Sequence, residues 1–515
     1  MLSSKQGVSR QDFLRGIAAS LGLGAFGGWR LFAPPLGHPP CGLAALGGYS
    51  PPGWKPSGKP NLVFGVISDT HLRTTADGKY STKYWSDRWV VAALKHFREQ
   101  NVDAVVHLGD MAHLGQVEEM EFHRTAWEKV FPHDLAPDGH KVVRLFITGN
   151  HDIDGSKYGI GELVKKIHPD EEERKKHLLC TDIAANWERI WGEKYEPIWH
   201  KTVKGYHFFG RNWGVAEART ARAVKAVMGE GSPCPTDIRP FFHLSHSRPH
   251  ASLNKALLPY PNAVGFFGHW HCSAANWNRI YMLSAGPTIQ CPACCPQANN
   301  CLSNEPYPWL KVVPEGAEAA GKSRQGYVVR VYDDMLVIER REFSKGGSLG
   351  ADWVMPLGKY DPHPFSKDEL KKVIGEPQFK DGALLSLSGV REIGRMGVSS
   401  KNSPKLQNSE TPSSESKDAI RLSIPLADGN PDSRVYAYEV VVVGDEGAPK
   451  LHKAVYAAGC NMGIGHEPNG GVTTLEIPKS ELPPGKTLTF AVRPLSSLGT
   501  SGRAIATEFK TGAEQ

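Results

Sequence analysis

Val142-Val143-Arg144-Leu145-Phe146-Ile147-Thr148-Gly149-Asn150-His151-Asp152 is an apolar run that stops abruptly at four polar or flexible residues. Two earlier stretches follow the same plan: Leu62–Ser68 runs into Asp69-Thr70-His71, and Asp103–Leu108 into Gly109-Asp110. Short continuous apolar runs bounded by Gly, Asp and Asn read as strands buried on both faces. Between the first two, Tyr84–Arg98 places Trp85, Trp89, Ala92 and Ala93 where they can share a helical face, and a second helical stretch covers about Val117 to Val130. Strands alternating with helices predict right-handed βαβ units and a largely parallel sheet, hence an α/β class.

Downstream, about Ile153 to Ile198 reads as a helical, charge-rich insertion, followed by a hairpin pattern around His200–Phe209 and a helix through Ala216–Met228. Phe241–Leu244 and Ala263–Phe267 read as two more strands, each running into histidines, and Tyr327–Tyr332 with Met335–Glu342 as a closing hairpin. Five strands therefore end in metal-binding side chains: Asp69 and His71; Asp110; Asn150 and His151; His246; His269 and His271. In open α/β sheets sites form at the carboxyl ends of strands, so these residues are expected to converge. A set of Asp, His and Asn donors suits iron, manganese or zinc. Singly, each has a plainer reading: Asp69 as a helix cap, Asn150 in a left-handed turn, Gly109-Asp110 as a turn pair. His243 and His250 compete with His246, which is favoured by its strand-end position.

The series Asp69-x-His71, Gly109-Asp110, Gly149-Asn150-His151-Asp152, His246 and Gly268-His269-x-His271 resembles the motif order of the calcineurin-like metallophosphoesterase family, over about Leu62 to Phe343. The resemblance implies a four-layer α/β/β/α core and two metal ions. Asp69, His71 and His271 would hold one, Asn150, His246 and His269 the other, and Asp110 would bridge them. It further implies hydrolysis of a small-molecule phosphate ester, a phosphomonoester or a phosphodiester, by a metal-bridging hydroxide. His151 would act as acid, and Asp152 would orient it or a ligand. In the purple acid phosphatases, relatives of this family, a tyrosine stands three places after the Gly-Asp aspartate; here that place holds His113, so no purple chromophore is expected. His113 and Arg73 are candidates for substrate contact or for supporting a ligand, and Trp270 lies beside two of the histidines.

The rest of the chain bounds this reading. At 515 residues, two or three domains are expected, and 54 Gly with 38 Pro favour loop-rich mixed or β architecture over a bundle. Lys5, Arg10, Arg15 and Arg30 against Asp12 put half of the formal charge of +6 into the first 33 residues, so the remainder is nearly neutral and gives no case for nucleic-acid binding. Ser9-Arg10-Gln11-Asp12-Phe13-Leu14-Arg15 before an apolar Gly/Ala stretch reads as an export signal or membrane anchor over 1–33. It resembles a twin-arginine signal with Gln11 in place of the second arginine, and predicts a periplasmic or cell-envelope protein. A Pro/Gly-rich tether over 34–60 follows, then a catalytic domain over 61–345 with 153–198 inserted, and its extension over 346–398. A polar linker over 399–417 leads into a C-terminal all-β sandwich over 418–515. Leu482-Pro483-Pro484-Gly485 and Ser496-Ser497-Leu498-Gly499 around a strand resemble the end of a fibronectin type III-like module. In an oxidising compartment Cys291, Cys294, Cys295 and Cys301 are expected to staple a loop by disulfides rather than form a zinc knuckle. Two other functions remain open: an exported nucleotidase or pyrophosphatase, and a surface adhesion or glycan-binding protein that works through the sandwich.

Overall fold

In the computed structural model the described residues are 58–73, 87–154, 161–231, 239–277, 280–283, 286–295, 323–357, 374–390, 419–428, 434–444 and 449–512, with Pro56, Glu315, Lys371 and Gly447 between them. The signal segment, most of the tether, the linker over 399–417 and Cys301 lie outside them.

The apolar runs become strands because both of their faces are covered. β1 (Leu62–Ile67), β2 (Ala104–His107) and β3 (Val143–Phe146) pair in parallel, as the βαβ reading requires. β10 (Gln325–Val331), β11 (Met335–Glu342) and β12 (Trp353–Pro356) extend the sheet antiparallel from β1, giving the order β12-β11-β10-β1-β2-β3. A second six-stranded sheet has the order β4-β5-β6-β7-β9-β8, formed by β4 (Ile198–Val203), β5 (Tyr206–Arg211), β6 (Phe241–Ser245), β7 (Ala263–Phe267), β8 (Ile280–Leu283) and β9 (Gly286–Gln290). β5, β6, β7 and β9 run parallel, with antiparallel strands at both edges.

Phe64 of β1 meets Phe208, Phe242 and Phe266 of the second sheet edge-on, at ring centroid distances of 5.4, 5.0 and 6.0 Å. Edge-to-face pairs at such distances are favourable beyond the area they bury, so Phe64 joins the two sheets at their centre. Helices Asp87–Glu99, Val117–Val130 and Ile183–Trp191 share a separate apolar cluster with Ile67, Val105 and Phe146 of the first sheet. Helices Glu217–Met228 and Ala251–Ala256 share another with Phe209, Phe241 and Ala263 of the second. Within the expected insertion the described helices are Gly161–Ile167, Glu171–His177 and Ile183–Trp191.

Beyond the mixed sheets the chain is rich in β-structure. Further strands are β13 (Ser386–Val390), β14 (Ala419–Ile424), β15 (Ala437–Val443), β16 (Pro449–Tyr456), β17 (Thr473–Pro478), β18 (Thr487–Leu495) and β19 (Ile505–Lys510). They form a three-stranded sheet of order β13-β14-β17 and a four-stranded one of order β16-β15-β18-β19. Ser386–Val390 precedes the linker, where the sequence suggests an extension of the catalytic domain, yet it pairs with Ala419–Ile424 and so builds the C-terminal sheet. One apolar cluster runs from the space between the first two sheets into this region. Polar contacts reinforce the junction: Trp277 N–H donates to Ser497 Oγ (3.1 Å), and Gln325 Nε2 to the Asn461 carbonyl (2.8 Å).

His123, on helix Val117–Val130, is fully buried between His107 and Trp191, and neither ring nitrogen has a hydrogen-bond partner among the described residues. Burial holds its imidazole down at about 3. A base whose folded value lies below its unfolded one near 6.5 stabilises the fold fully above that unfolded value, and this stability is lost as pH falls towards 3. The expected cost is about 2 kcal/mol by pH 5. Denaturant unfolding of His123→Leu should therefore show a flatter stability profile between pH 7 and 5 than the parent protein; an unchanged slope would contradict this.

Candidate metal centre

The candidate ligands stand on loops in an unusual backbone conformation. Of the ten non-glycine residues with positive φ among the described residues, five are Asp69 (52°), His71 (45°), Asp110 (54°), His269 (72°) and His271 (52°). Such conformations cost about 1–3 kcal/mol each and persist only where surrounding contacts over-determine them. Here the contacts are visible. Asp69 N–H donates to the Gly109 carbonyl (3.0 Å) and His71 N–H to that of Asp110 (2.9 Å), so the loops after β1 and β2 run on as a pair. His107, at the end of β2, accepts from Gly109 N–H at Nδ1 (3.2 Å) and meets Thr70 Oγ1 at Nε2 (3.1 Å).

The fully buried carboxylate of Asp152 closes the clasp. It accepts from the backbone N–H groups of Asp110 (2.9 Å), Ala112 (2.8 Å) and Gly149 (2.8 Å). Its oxygens thus face the backbone of the Asp110 loop and not the His151 ring. Two glycines make the close approach possible. A Cβ on Gly149 would lie 2.2 Å from Asp110 Oδ1, and one on Gly268 would lie 1.9 Å from Ser68 Oγ.

On this frame Asp69 and Asp110 sit inside a ring of imidazoles. Asp69 Oδ1 is 3.2 Å from His271 Nε2, and Asp110 Oδ2 is 3.2 Å from His246 Nε2 and 3.6 Å from His71 Nε2. His71 Nε2 and His271 Nε2 are 3.1 Å apart, as are His246 Nε2 and His269 Nδ1 at 3.2 Å. Two triads, Asp69-His71-Asp110 and Asp110-His246-His269, each bring three ligand atoms within 4.8 Å of one another, and they share Asp110. Asn150 opens the short helix Asn150–Asp154 beside Asp110, whose Oδ1 accepts the next N–H, that of His151 (2.8 Å). Of the three histidines competing near β6, His246 is the one whose ring lies against Asp110 and His269. His243 is buried inside the strand, and His250 sits before helix Ala251–Ala256 with its N–H on Glu217.

The electrostatics favour a cation. Burial lowers the His71 and His113 imidazoles, His113 to about 3, leaving both neutral, the form that ligates metals. Burial opposes charge on His246 too, yet Asp110 and then Asp69 push it up to about 9. The two carboxylates thus call for positive charge at the spot where the ring nitrogens crowd together. Asn150 Oδ1, buried, has no hydrogen-bond partner among the described residues. An orphaned amide oxygen beside neutral imidazoles and carboxylates fits a borderline divalent or trivalent ion.

His151 donates from Nδ1 to the His113 carbonyl (2.8 Å). His113 stacks on His151 and places Nδ1 3.2 Å from Nδ1 of His71, behind that residue's inward-facing nitrogen. Arg73 is half-buried and close enough to His113 to help lower its proton affinity.

Two contributors are not evident from the strand-end pattern. Trp213, just after β5, packs its ring against His246 and His269 at 5.7 and 6.0 Å. Cys295 brings Sγ to 3.3 Å from His271 Nδ1. The expected disulfide staple does not form: Cys291, Cys294 and Cys295 are not in disulfides. Their sulfurs point apart, towards the carbonyl of Val66, the carbonyl of Trp89 and the ring of His271, and a disulfide needs facing Cβ atoms. Among the described cysteines only Cys272 is in a disulfide.

Residues 62–273 match the family model of calcineurin-like phosphoesterases, so this part of the chain carries a calcineurin-like phosphoesterase domain. No curated protein matches the chain. Solved structures similar to it include a dimetal phosphatase from Danio rerio, 11% identical, covering 58% of this chain and 99% of that one with a TM-score of 0.31. A purple acid phosphatase from yellow lupin seeds is 13% identical, covers 59% of this chain and 56% of that one, and has a TM-score of 0.36. A zinc-complexed Vps29 from Entamoeba histolytica is 9% identical, over 57% and 99% of the two chains, with a TM-score of 0.25.

Replacing Asn150 by Ala removes an oxygen that has no partner among the described residues, so the metal-free variant should unfold at the same temperature as the parent or slightly higher. With manganese or zinc present, its metal-induced stabilisation should shrink. The loss of affinity expected is at least the roughly 10–100-fold seen when a ligand's outer partner is removed. Equal stabilisation of parent and variant in thermal melts with added metal would remove Asn150 from the ligand set.

Proposed function

We propose that this chain is a dinuclear-metal hydrolase of phosphate esters, a phosphomonoesterase or phosphodiesterase, working on a four-layer α/β/β/α core. The observation that carries the reading is the pair of triads sharing Asp110, within a stretch that matches a phosphoesterase family. The three apolar clusters, one between the sheets and one under each group of helices, support the layered core.

Asp69, His71 and His271 would hold one ion, Asn150, His246 and His269 the other, and Asp110 both; the donor set suits iron, manganese or zinc. When bound, such a pair supplies Lewis-acid polarisation of the phosphoryl oxygens and a water acidified for attack on phosphorus. The protein's own residues do the rest. His246 is aimed by the bond from its Nδ1 to the Leu108 carbonyl (2.7 Å), which leaves Nε2 for the ion. Asp152 keeps the Asp110 loop in place through its three backbone bonds. His151, its Nδ1–H fixed on the His113 carbonyl, presents Nε2 as the proton carrier for the leaving oxygen. His113 and Arg73 line the same edge and are candidates for substrate contact.

We place the protein outside the cytoplasm on the character of residues 1–33, and the Cys272 disulfide supports an oxidising compartment. No helix among the described residues is long and apolar enough to cross a membrane. We read the sandwich as fibronectin type III-like, a reading supported by its three- and four-stranded antiparallel sheets.

Removing the acid in His151→Gln should lower kcat by about 10²–10⁴-fold on esters with a poor leaving group. The loss should be smaller with nitrophenyl phosphates, whose leaving oxygen needs little protonation, and metal content should not change. Wild-type turnover of the poor substrates by the variant would exclude His151 as the acid.

A further inference from the structure

Within the dinuclear reading on which this inference rests, we propose that Cys295 is a positioning residue for the metal centre: its sulfur accepts a hydrogen bond from His271 Nδ1–H and so directs the Nε2 lone pair onto the ion.

The main chain brings the sulfur there. The segment after β9 crosses three strand ends: Cys291 N–H donates to the Phe267 carbonyl (2.7 Å), Cys294 N–H to that of Ser68 (2.8 Å), and Gln325 N–H to that of Ala293 (3.0 Å). Cys295 follows at once, 2% exposed, with Sγ 3.3 Å from His271 Nδ1. The other nitrogen of that ring faces inward, 3.2 Å from Asp69 Oδ1 and 3.1 Å from His71 Nε2. A neutral imidazole carries one proton, so Nε2 can bind an ion only if Nδ1 keeps it, and Nδ1 then needs an acceptor. In the same site a carbonyl fills that place for His246, that of Leu108 at 2.7 Å. For His271 the group in that place is the Cys295 sulfur. Cys295 Sγ also lies within 4.8 Å of ligand atoms of His71 and His271, but it faces Nδ1 of His271 while Nε2 faces Asp69, so in this proposal the sulfur acts through the imidazole and not on the ion.

Cys294 supplies an internal control. It is equally buried, at 2% exposed, but its sulfur faces the Trp89 carbonyl. Full-length, metal-free protein would be titrated with zinc against a chromophoric chelator, and with cobalt(II) by absorption. Cys295→Ala should weaken one of the two sites by about 10–100-fold. Cys295→Ser, which keeps an acceptor, should recover part of the loss, and Cys294→Ala should match the wild type. If Cys295→Ala does not fold, Cys295→Val refills the volume without an acceptor and should show the same weakening. Cobalt-loaded wild type should lack a sulfur-to-cobalt charge-transfer band. Unchanged zinc affinity in Cys295→Ala or Cys295→Val, an equal loss in Cys294→Ala, or such a band would overturn the assignment while leaving the dinuclear reading intact. A wild type that takes up no ion would overturn both.

Discussion

The structure around the site depends on the Asp152 carboxylate and the three backbone N–H groups it accepts. Two belong to the Asp110 loop and one to the Gly149 turn, so this single buried side chain welds the ends of β2 and β3 together. Asp110 sits at positive φ in the middle of that weld. Without the clasp, the backbone would relax to a commoner conformation and carry the shared carboxylate away from His71 and His246. The clasp is itself under electrostatic load: burial and then the Asp110 charge raise the Asp152 carboxyl to about 7, against the pull of its backbone donors.

The two sheets supply what the clasp cannot. The first delivers Asp69, His71, Asp110 and Asn150 from the ends of three adjacent parallel strands, and the second delivers His246, His269 and His271 from the ends of two more. Phe64 joins the sheets at their centre, which fixes where those ends meet. Helices packed against the two sheets bury the remaining apolar faces, so a strained polar cluster is held by ordinary hydrophobic packing a few residues away. The C-terminal sheets add to the same apolar mass and share its core, which makes them part of the framework and not a freely tethered appendage.

Much of this is legible in the residue order because each signal is local. β1, β2, β3, β6 and β7 stand out as apolar runs, since parallel strands covered on both faces need uninterrupted hydrophobic residues. The candidate ligands at their ends lie within four positions of a strand, so a pattern along the chain is enough to nominate them. What fails is whatever depends on distant partners. Gly286–Gln290 carries Gly and Pro and is a strand only because β7 and β8 flank it. Ser386–Val390, with two serines and a glycine, becomes one by pairing across the linker. Asp152 reads as a neighbour of His151, yet two of its three donors come from a loop some forty residues earlier. The cysteines after β9 suggest a staple because spacing cannot show which way a sulfur points.

The central claim is a count of ions held by one shared carboxylate. Elemental analysis of folded, full-length protein, equilibrated with manganese, zinc or iron and then freed of excess metal, tests it most directly. Two ions per chain is the result this account requires. A folded protein that retains one ion or none in every case would contradict it.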